Sequence, residues 1–146
     1  MASRRERVER LLALRERAVE SARAVLAAAL RVTASAAEAL SAAENAWSTR
    51  AASVAAARFP DVDALMQAHA HLDALRRRAD LAATELTNAR NQEDVARAGC
   101  MRAERERKKL EIWRDRLLSL EAQAERRSER LATDEVAART FTRTHA

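Results

Sequence analysis

The chain has 146 residues, of which 34% are charged, with one glycine, one proline, no tyrosine and a formal net charge of +5. Nearly half of the residues are hydrophobic, but more than half of those are alanine, which buries little surface. The composition therefore excludes a globular domain with a thick core. Its excess of alanine, leucine, glutamate and arginine indicates long helices or a coiled coil.

Cysteine content and hydropathy bear on the compartment. The only cysteine is Cys100, which excludes an internal disulfide and is typical of a reducing compartment. No uninterrupted apolar run reaches the roughly 18 residues that a membrane span needs, because Arg31 interrupts the sequence VLAAALRV at 25–32. The N-terminal stretch MASRRERVER does not lead into a signal-peptide core. These features predict a cytoplasmic protein without membrane insertion.

Two long helices are predicted on either side of one corner. Ser3 and Glu6 form an S-x-x-E capping box at the start, and the first helix is predicted over about 4–57. Pro60 disfavours helical geometry at the preceding residue, and Asp61 or Asp63 can cap the next helix. The corner is therefore placed at 58–62, the second helix at about 62–138 and a C-terminal tail at 139–146.

Both helices carry heptad repeats. In the first, the large a-type positions are Leu12, Val19, Leu26, Thr33, Leu40, Trp47 and Val54, and the mostly small d-type positions are Arg15, Ala22, Ala29, Ala36, Ala43, Arg50 and Ala57. In the second, the period holds through Ala68, Leu75, Ala82, Ala89, Ala96, Ala103, Leu110, Leu117, Ala124, Leu131 and Ala138, with Leu65, Leu72, Ala79 and Leu86 three residues earlier. Sustained heptads predict a left-handed supercoil.

A short corner makes the two helices antiparallel neighbours. The sequence thus predicts an all-α fold in which one antiparallel coiled-coil hairpin occupies residues 1–146 and the second helix is longer. Trp47 is placed near Asp73, and Leu12 near Lys108. From Leu120 onward the second helix overhangs the first, yet its heptads continue, which implies another chain as partner. A monomer is expected in isolation, with a dimer through the overhang as the alternative.

Residues with catalytic or metal-binding chemistry are few. His69 and His71 point about 200° apart on a helix, whereas zinc pairs prefer a spacing of four residues. Cys100 follows the mid-helix Gly99 and falls on the seam, so it is interpreted as a small buried residue. No nucleophile, base and acid come together on a loop scaffold. We therefore expect no enzymatic activity, no cofactor and no metal.

The segment ERERKKLEIWRDR at 104–116 holds ten charged residues around Trp113. Most of the charges are interpreted as a solvated helix face with internal pairs, including Glu106 with Arg102. The local charge is too balanced for a nucleic-acid stripe. Trp113 extends the apolar seam of Leu110, Leu117 and Leu120. It either packs near Val8 at the start of the first helix or contacts a partner.

Two motifs carry a family resemblance. Arg107-Lys108-Lys109-Leu110-Glu111-Ile112-Trp113 and Asp134-Glu135-Val136-Ala137-Ala138-Arg139, together with the hairpin length and corner position, resemble the FliJ / YscO family of central stalk proteins in flagellar and virulence type III secretion. The resemblance covers essentially the whole chain. It implies three partners, namely a hexameric secretion ATPase, an export gate protein and secretion chaperones. The alanine- and arginine-rich composition favours a virulence secretion system over a flagellar one.

The resemblance also implies two contact surfaces. The implied ATPase-binding residues are Trp113, Arg114, Arg116, Leu117, Glu121, Arg127, Leu131, Asp134, Glu135 and Arg139. The implied gate-binding residues are Leu65, Met66, His69, Leu72 and Arg76, with Leu65-Met66 standing where the family has an aromatic residue. The expected function is a non-enzymatic stalk peripheral to the inner-membrane secretion apparatus. The alternatives are a generic coiled-coil adaptor or self-assembling scaffold and a nucleic-acid-associated rod.

Overall fold

The computed structural model describes residues 2–145, and these form two helices. Helix α1 spans Arg4–Ala56 and helix α2 spans Val62–His145. No residue between 2 and 145 lies in a strand. The expected all-α class, with two helices of which the second is longer, is confirmed, and the packing of α1 against α2 is that of a hairpin.

Side-chain caps fix both helix starts. The Glu6 amide donates a hydrogen bond to Ser3 Oγ, and the Ser3 amide donates one to Glu6 Oε2, each at 3.1 Å. This is the predicted capping box, which satisfies two backbone donors reciprocally. At α2, the Ala64 amide donates a hydrogen bond to Asp61 Oδ1 at 2.8 Å. Asp61 is therefore the N-cap, and the corner around Pro60 occupies the residues between Ala56 and Val62.

The chain divides into two compact units, each containing a segment of both helices. One unit is Met1–Val19 with Ala103–Ala146, and the other is Glu20–Arg102. In the second unit, Trp47 of α1 lies against Arg76 of α2, whereas the earlier Thr33 lies beside the later Glu93. The α1 and α2 segments in this unit are therefore antiparallel, as predicted.

The seam of the Glu20–Arg102 unit is built from small side chains. Its buried cluster comprises Ala43, Ala79 and Ala82, with Leu40 packed against it. Leu86, Ala89, Ala96 and Cys100 continue the buried line along α2. Because alanine dominates this buried line, the core is thin. The interpretation of Cys100 as a small buried seam residue is confirmed.

The unit formed by the chain ends is packed over only part of its length. Val8, Leu12 and Val19 of α1 are buried, and Leu110 and Leu117 of α2 are half-buried. Every described residue from 123 to 145 is exposed. The predicted overhang is thus present, and the heptad residues Ala124, Leu131 and Ala138 on it are uncovered.

Three details differ from the sequence-based expectations or complete them. Helix α2 does not stop near residue 138 but continues to His145, so the residues assigned to a tail are helical up to that point. The hydroxyls of the threonines at 140, 142 and 144 donate hydrogen bonds to backbone carbonyls four residues earlier. Because these hydroxyls bond within the helix, they do not form the side-chain hydrogen bonds that favour a turn. Helix α2 is continuous through Gly99. Leu65, expected on the seam, is exposed, and the buried line of α2 begins at Ala68.

Candidate partner-binding site

An apolar groove lies in the unit formed by the chain ends. It has a volume of ≈ 320 Å³ and is lined by Arg4, Val8, Trp113, Arg116, Leu117 and Leu120. Of these lining residues, Val8 is buried and Leu117 is half-buried. The spacing of Trp113, Leu117 and Leu120 places all three on one face of α2. The groove thus combines three of the predicted ATPase-binding residues, Trp113, Arg116 and Leu117, with two residues of α1.

Trp113 lines the groove without being covered. Its side chain is 63% exposed, as is that of Leu120. The sequence left open whether this tryptophan packs near Val8 or faces outward. In the structure it borders the same groove as Val8 while most of its surface remains in solvent. Exposed aromatic rings beside apolar neighbours are typical of protein-binding surfaces.

The remaining predicted ATPase-binding residues follow along α2. Arg114 and Glu121 are half-buried, and Arg127, Leu131, Asp134, Glu135 and Arg139 are exposed. Leu131 follows Leu117 and Ala124 at heptad spacing. Beyond residue 122, every described residue of α2 is exposed.

Most charges around Trp113 are paired within α2. Arg107 Nε lies 3.5 Å from Glu111 Oε1, and Lys109 Nζ lies 3.1 Å from Glu106 Oε1. Arg114 Nε lies 3.4 Å from Asp115 Oδ1. The expected internal pairing is present, but Arg107, Glu111 and Arg114 are half-buried rather than fully solvated. The predicted partner of Glu106 was wrong, because Lys109 rather than Arg102 donates the hydrogen bond.

Two glutamates have lowered pKa values. The hydrogen bond from Lys109 holds the pKa of Glu106 below its ordinary value, and the charges of Lys109 and Arg15 act in the same direction. Hydrogen bonding from Arg97 lowers the pKa of Glu93, with a further contribution from Thr33 on α1. Both carboxylates are therefore negative at neutral pH and are engaged in the packing of their own units.

The predicted gate-binding residues form a separate patch in the Glu20–Arg102 unit. Leu65, Met66 and His69 are exposed on the first turns of α2, and Leu72 is half-buried. Arg76 lies over the ring of Trp47, with 5.2 Å between its guanidinium carbon and the ring centroid. Sequence reasoning missed Trp47 as a neighbour of this patch, since the heptad register placed it against Asp73, about one turn away.

Metal-binding clusters and membrane-spanning segments are a separate question from partner binding. Among the described residues, no group of three or more His, Cys, Asp or Glu side chains is arranged to hold a metal ion. Helix α1 contains an 18-residue window of mean hydropathy 1.3, long and apolar enough by these measures to cross a membrane. Counting uninterrupted apolar runs missed this window, because alanine raises hydropathy between sparse charges. Length and composition alone do not distinguish a span from an alanine-rich coiled-coil helix.

Comparisons with known proteins identify the family. Neither the curated proteins nor the solved structures that were compared gave a match. A family model described as flagellar FliJ protein matches residues 4–146, essentially the whole chain. The match agrees with the two-helix fold and with the resemblance carried by the Arg107–Trp113 and Asp134–Arg139 motifs. The chain therefore belongs to the FliJ / YscO family, whose members are components of type III protein export.

Proposed function

We propose that this chain is a non-enzymatic stalk of a type III export apparatus and that the exposed end of α2 binds the hexameric secretion ATPase. The observation that carries the proposal is the uncovered heptad face of residues 123–145 in a chain of this family. The proposed location is the cytoplasm, at the periphery of the inner-membrane apparatus. The matched family model is the flagellar one, whereas composition favours a virulence system, and neighbouring genes would distinguish the two.

The exposed face supports binding because a heptad seam is a surface for another helix. Side chains at a and d positions stabilise a coiled coil only when they pack between side chains of a partner helix. Leu131 is 61% exposed. A helix that lacks tertiary contacts gains little stability from propensity alone. A partner that covers this face would therefore both bury apolar surface and stabilise the helix.

Charged side chains beside the seam would set the orientation of the complex. Arg127, Asp134, Glu135 and Arg139 are all exposed, and both signs occur. Exposed rim charges contribute little affinity but influence association rate and specificity. In this proposal the seam residues anchor the ATPase and the rim residues select its register.

The second contact would link the stalk to the export gate. Leu65, Met66 and His69 present a mixed apolar and polar surface at the start of α2, and Arg76 is held beside it by Trp47. The two surfaces lie in different units of the chain. One chain could therefore bind the ATPase with one unit and the gate with the other.

A matched pair of variants tests the ATPase contact. Leu131 and Val136 are 61% and 62% exposed, but only Leu131 lies on the heptad face. The purified Leu131→Glu variant should no longer bind the cognate ATPase and should no longer stimulate the ATPase's hydrolysis of ATP. Val136→Glu should preserve both. Equal behaviour of the two variants, or no binding by the wild-type chain, would reject the proposal.

The same exposed face favours a second candidate, a self-assembling coiled-coil scaffold. Two copies could cover each other's residues 123–145, since these carry a heptad seam without an intrachain partner. Light scattering separates the candidates. An obligate dimer that Leu131→Glu converts to monomer would favour the scaffold, and a wild-type monomer would favour the stalk.

A further inference from the structure

The groove near the chain ends has a charge pattern that differs from its surroundings. Its two charged lining residues, Arg4 and Arg116, are both basic, and its other lining residues are apolar. Neither arginine forms an ion pair or a side-chain hydrogen bond with any residue in the described part of the chain. The two guanidinium groups therefore flank an apolar surface with their hydrogen-bonding capacity open to a partner.

The neighbouring carboxylates are already engaged. Glu6, in the first turn of α1, is held by the capping box with Ser3. On α2, Glu111 pairs with Arg107, and Asp115 pairs with Arg114. These acids thus pair with two earlier arginines of α2, Arg107 and Arg114, and not with Arg116. No carboxylate lines the groove itself.

The apolar part of the groove is also incomplete. Trp113 and Leu120 are each 63% exposed, and the groove volume of ≈ 320 Å³ lies at the lower end of the roughly 300–1,000 Å³ seen for ligand pockets. This volume suits one or two side chains rather than a larger structure. Large apolar anchors that fill such a groove are characteristic of helix-in-groove recognition.

We infer that the groove receives an acidic amphipathic helix of the partner, with a large apolar side chain against Trp113 and carboxylates paired to Arg4 and Arg116. Guanidinium groups bind carboxylates with two parallel hydrogen bonds, which fixes geometry as well as charge. The inference rests on the proposed function in taking the secretion ATPase as the molecule that presents this helix. It specifies the chemistry of the contact, which family membership does not.

A fluorescence titration of the full chain tests the groove directly. In a Trp47→Phe background, Trp113 is the only tryptophan. The probe is a synthetic amphipathic helix with leucines on one face and glutamates flanking them, and its control carries glutamine in place of each glutamate. The acidic peptide should shift Trp113 emission to shorter wavelength and bind about tenfold more tightly than the glutamine peptide. Equal affinities, or no shift with either peptide, would overturn the inference.

Matched charge reversals locate the contact. Arg4→Glu with Arg116→Glu should remove the preference for the acidic peptide. Arg10→Glu with Arg17→Glu changes the net charge equally at two exposed positions outside the groove and should retain the preference. Loss of preference in both double variants would mean that overall charge, not the groove, attracts the peptide, and the inference would fail. Circular dichroism of each variant should show unchanged helicity.

The ATPase itself separates this inference from the proposed function. If the wild-type chain binds the ATPase and Arg4→Glu with Arg116→Glu binds equally well, the stalk function stands and the groove inference falls. If the chain discriminates between the peptides but does not bind the ATPase, the groove chemistry stands and the stalk function falls.

Discussion

The guanidinium carbon of Arg76 on α2 lies 5.2 Å from the ring centroid of Trp47 on α1. Arg76 also forms an exposed ion pair with Asp80, at 3.7 Å between Nε and Oδ1. The aromatic ring thus joins a half-buried seam position of one helix to an exposed surface residue of the other. This contact positions Arg76 within the proposed gate-binding patch.

We expect a double-mutant cycle on Trp47 and Arg76 to show this coupling. Trp47→Leu and Arg76→Ala should lose less together than the sum of their separate losses, by about 0.5–1 kcal/mol, the range for an exposed cation–π contact. Urea unfolding measures each free energy. Arg77→Ala, at an exposed neighbouring position, is the control for Arg76→Ala. A coupling of zero would show that the ring does not hold the guanidinium in solution.

Gly99→Ala should stabilise the chain. A Cβ added at Gly99 meets no atom within 4 Å, and helix α2 runs through this position. The substitution should therefore recover the helix propensity that glycine forgoes, about 1 kcal/mol. The reverse change at the exposed neighbour, Ala98→Gly, should cost a similar amount. Destabilisation by Gly99→Ala in urea unfolding would contradict the absence of an intrachain contact at this site.

Stability should decrease in acid through Glu93. Its pKa is lowered from 4.5 by the hydrogen bond from Arg97, with a smaller effect of Thr33. Because the pKa of Glu93 is lower in the folded chain, the unfolded chain binds the proton more readily. The stabilisation that ionised Glu93 contributes is therefore complete above pH 4.5 and is lost as the pH falls through the folded-state pKa. Urea midpoints from neutral pH into this acidic range measure the effect.

Two variants assign this pH dependence. Glu93→Gln removes the titrating group and should flatten the acid limb of the stability curve. Arg97→Gln keeps the carboxyl group but removes its nearest donor, Arg97 Nη2 at 2.8 Å, and should flatten it in part. If Glu93→Gln loses stability at acidic pH as the wild-type chain does, other carboxylates cause the acid dependence.

Removing the N-terminal cap should loosen the first turn of α1. Ser3→Ala eliminates the acceptor of the Glu6 amide hydrogen bond, and the loss of such a cap costs about 1 kcal/mol. Ser21→Ala, at an exposed mid-helix position, removes a hydroxyl without removing a cap and should be neutral or slightly stabilising. Hydrogen exchange at the Glu6 amide reads the effect locally, and unchanged exchange in Ser3→Ala would argue against the capping box.

Local rules predicted most of the fold. The heptads of α1, the capping box at Ser3, the corner at Pro60 and the cap at Asp61 all depend on spacing and on residues nearby in sequence. The end of α2 was missed because no glycine or proline stops the helix, and its threonines bond back to the helix instead of capping it. The high helix propensity of Ala137, Ala138 and Arg139 then favours continuation of α2 past residue 138.

The candidate site was predictable only in outline. Heptad spacing placed Trp113 beside Leu117, but whether the ring is covered depends on where α1 begins and how its first turn packs. The unpaired state of Arg116 likewise depends on the rotamers of Arg107 and Arg114, which pair with Glu111 and Asp115. Several arginines could pair with these acids at helical spacing, and sequence alone does not choose among them.

The most direct test of the central claim is hydrogen exchange of residues 123–145 with and without the cognate ATPase. In the free chain this exposed segment should exchange faster than the packed Glu20–Arg102 unit, because it lacks tertiary contacts. Saturating ATPase should slow exchange across 123–145 and leave the Leu65–Arg76 patch unchanged. Unchanged exchange of 123–145 in the presence of saturating ATPase would contradict the claim that the exposed end of α2 is the ATPase-binding surface.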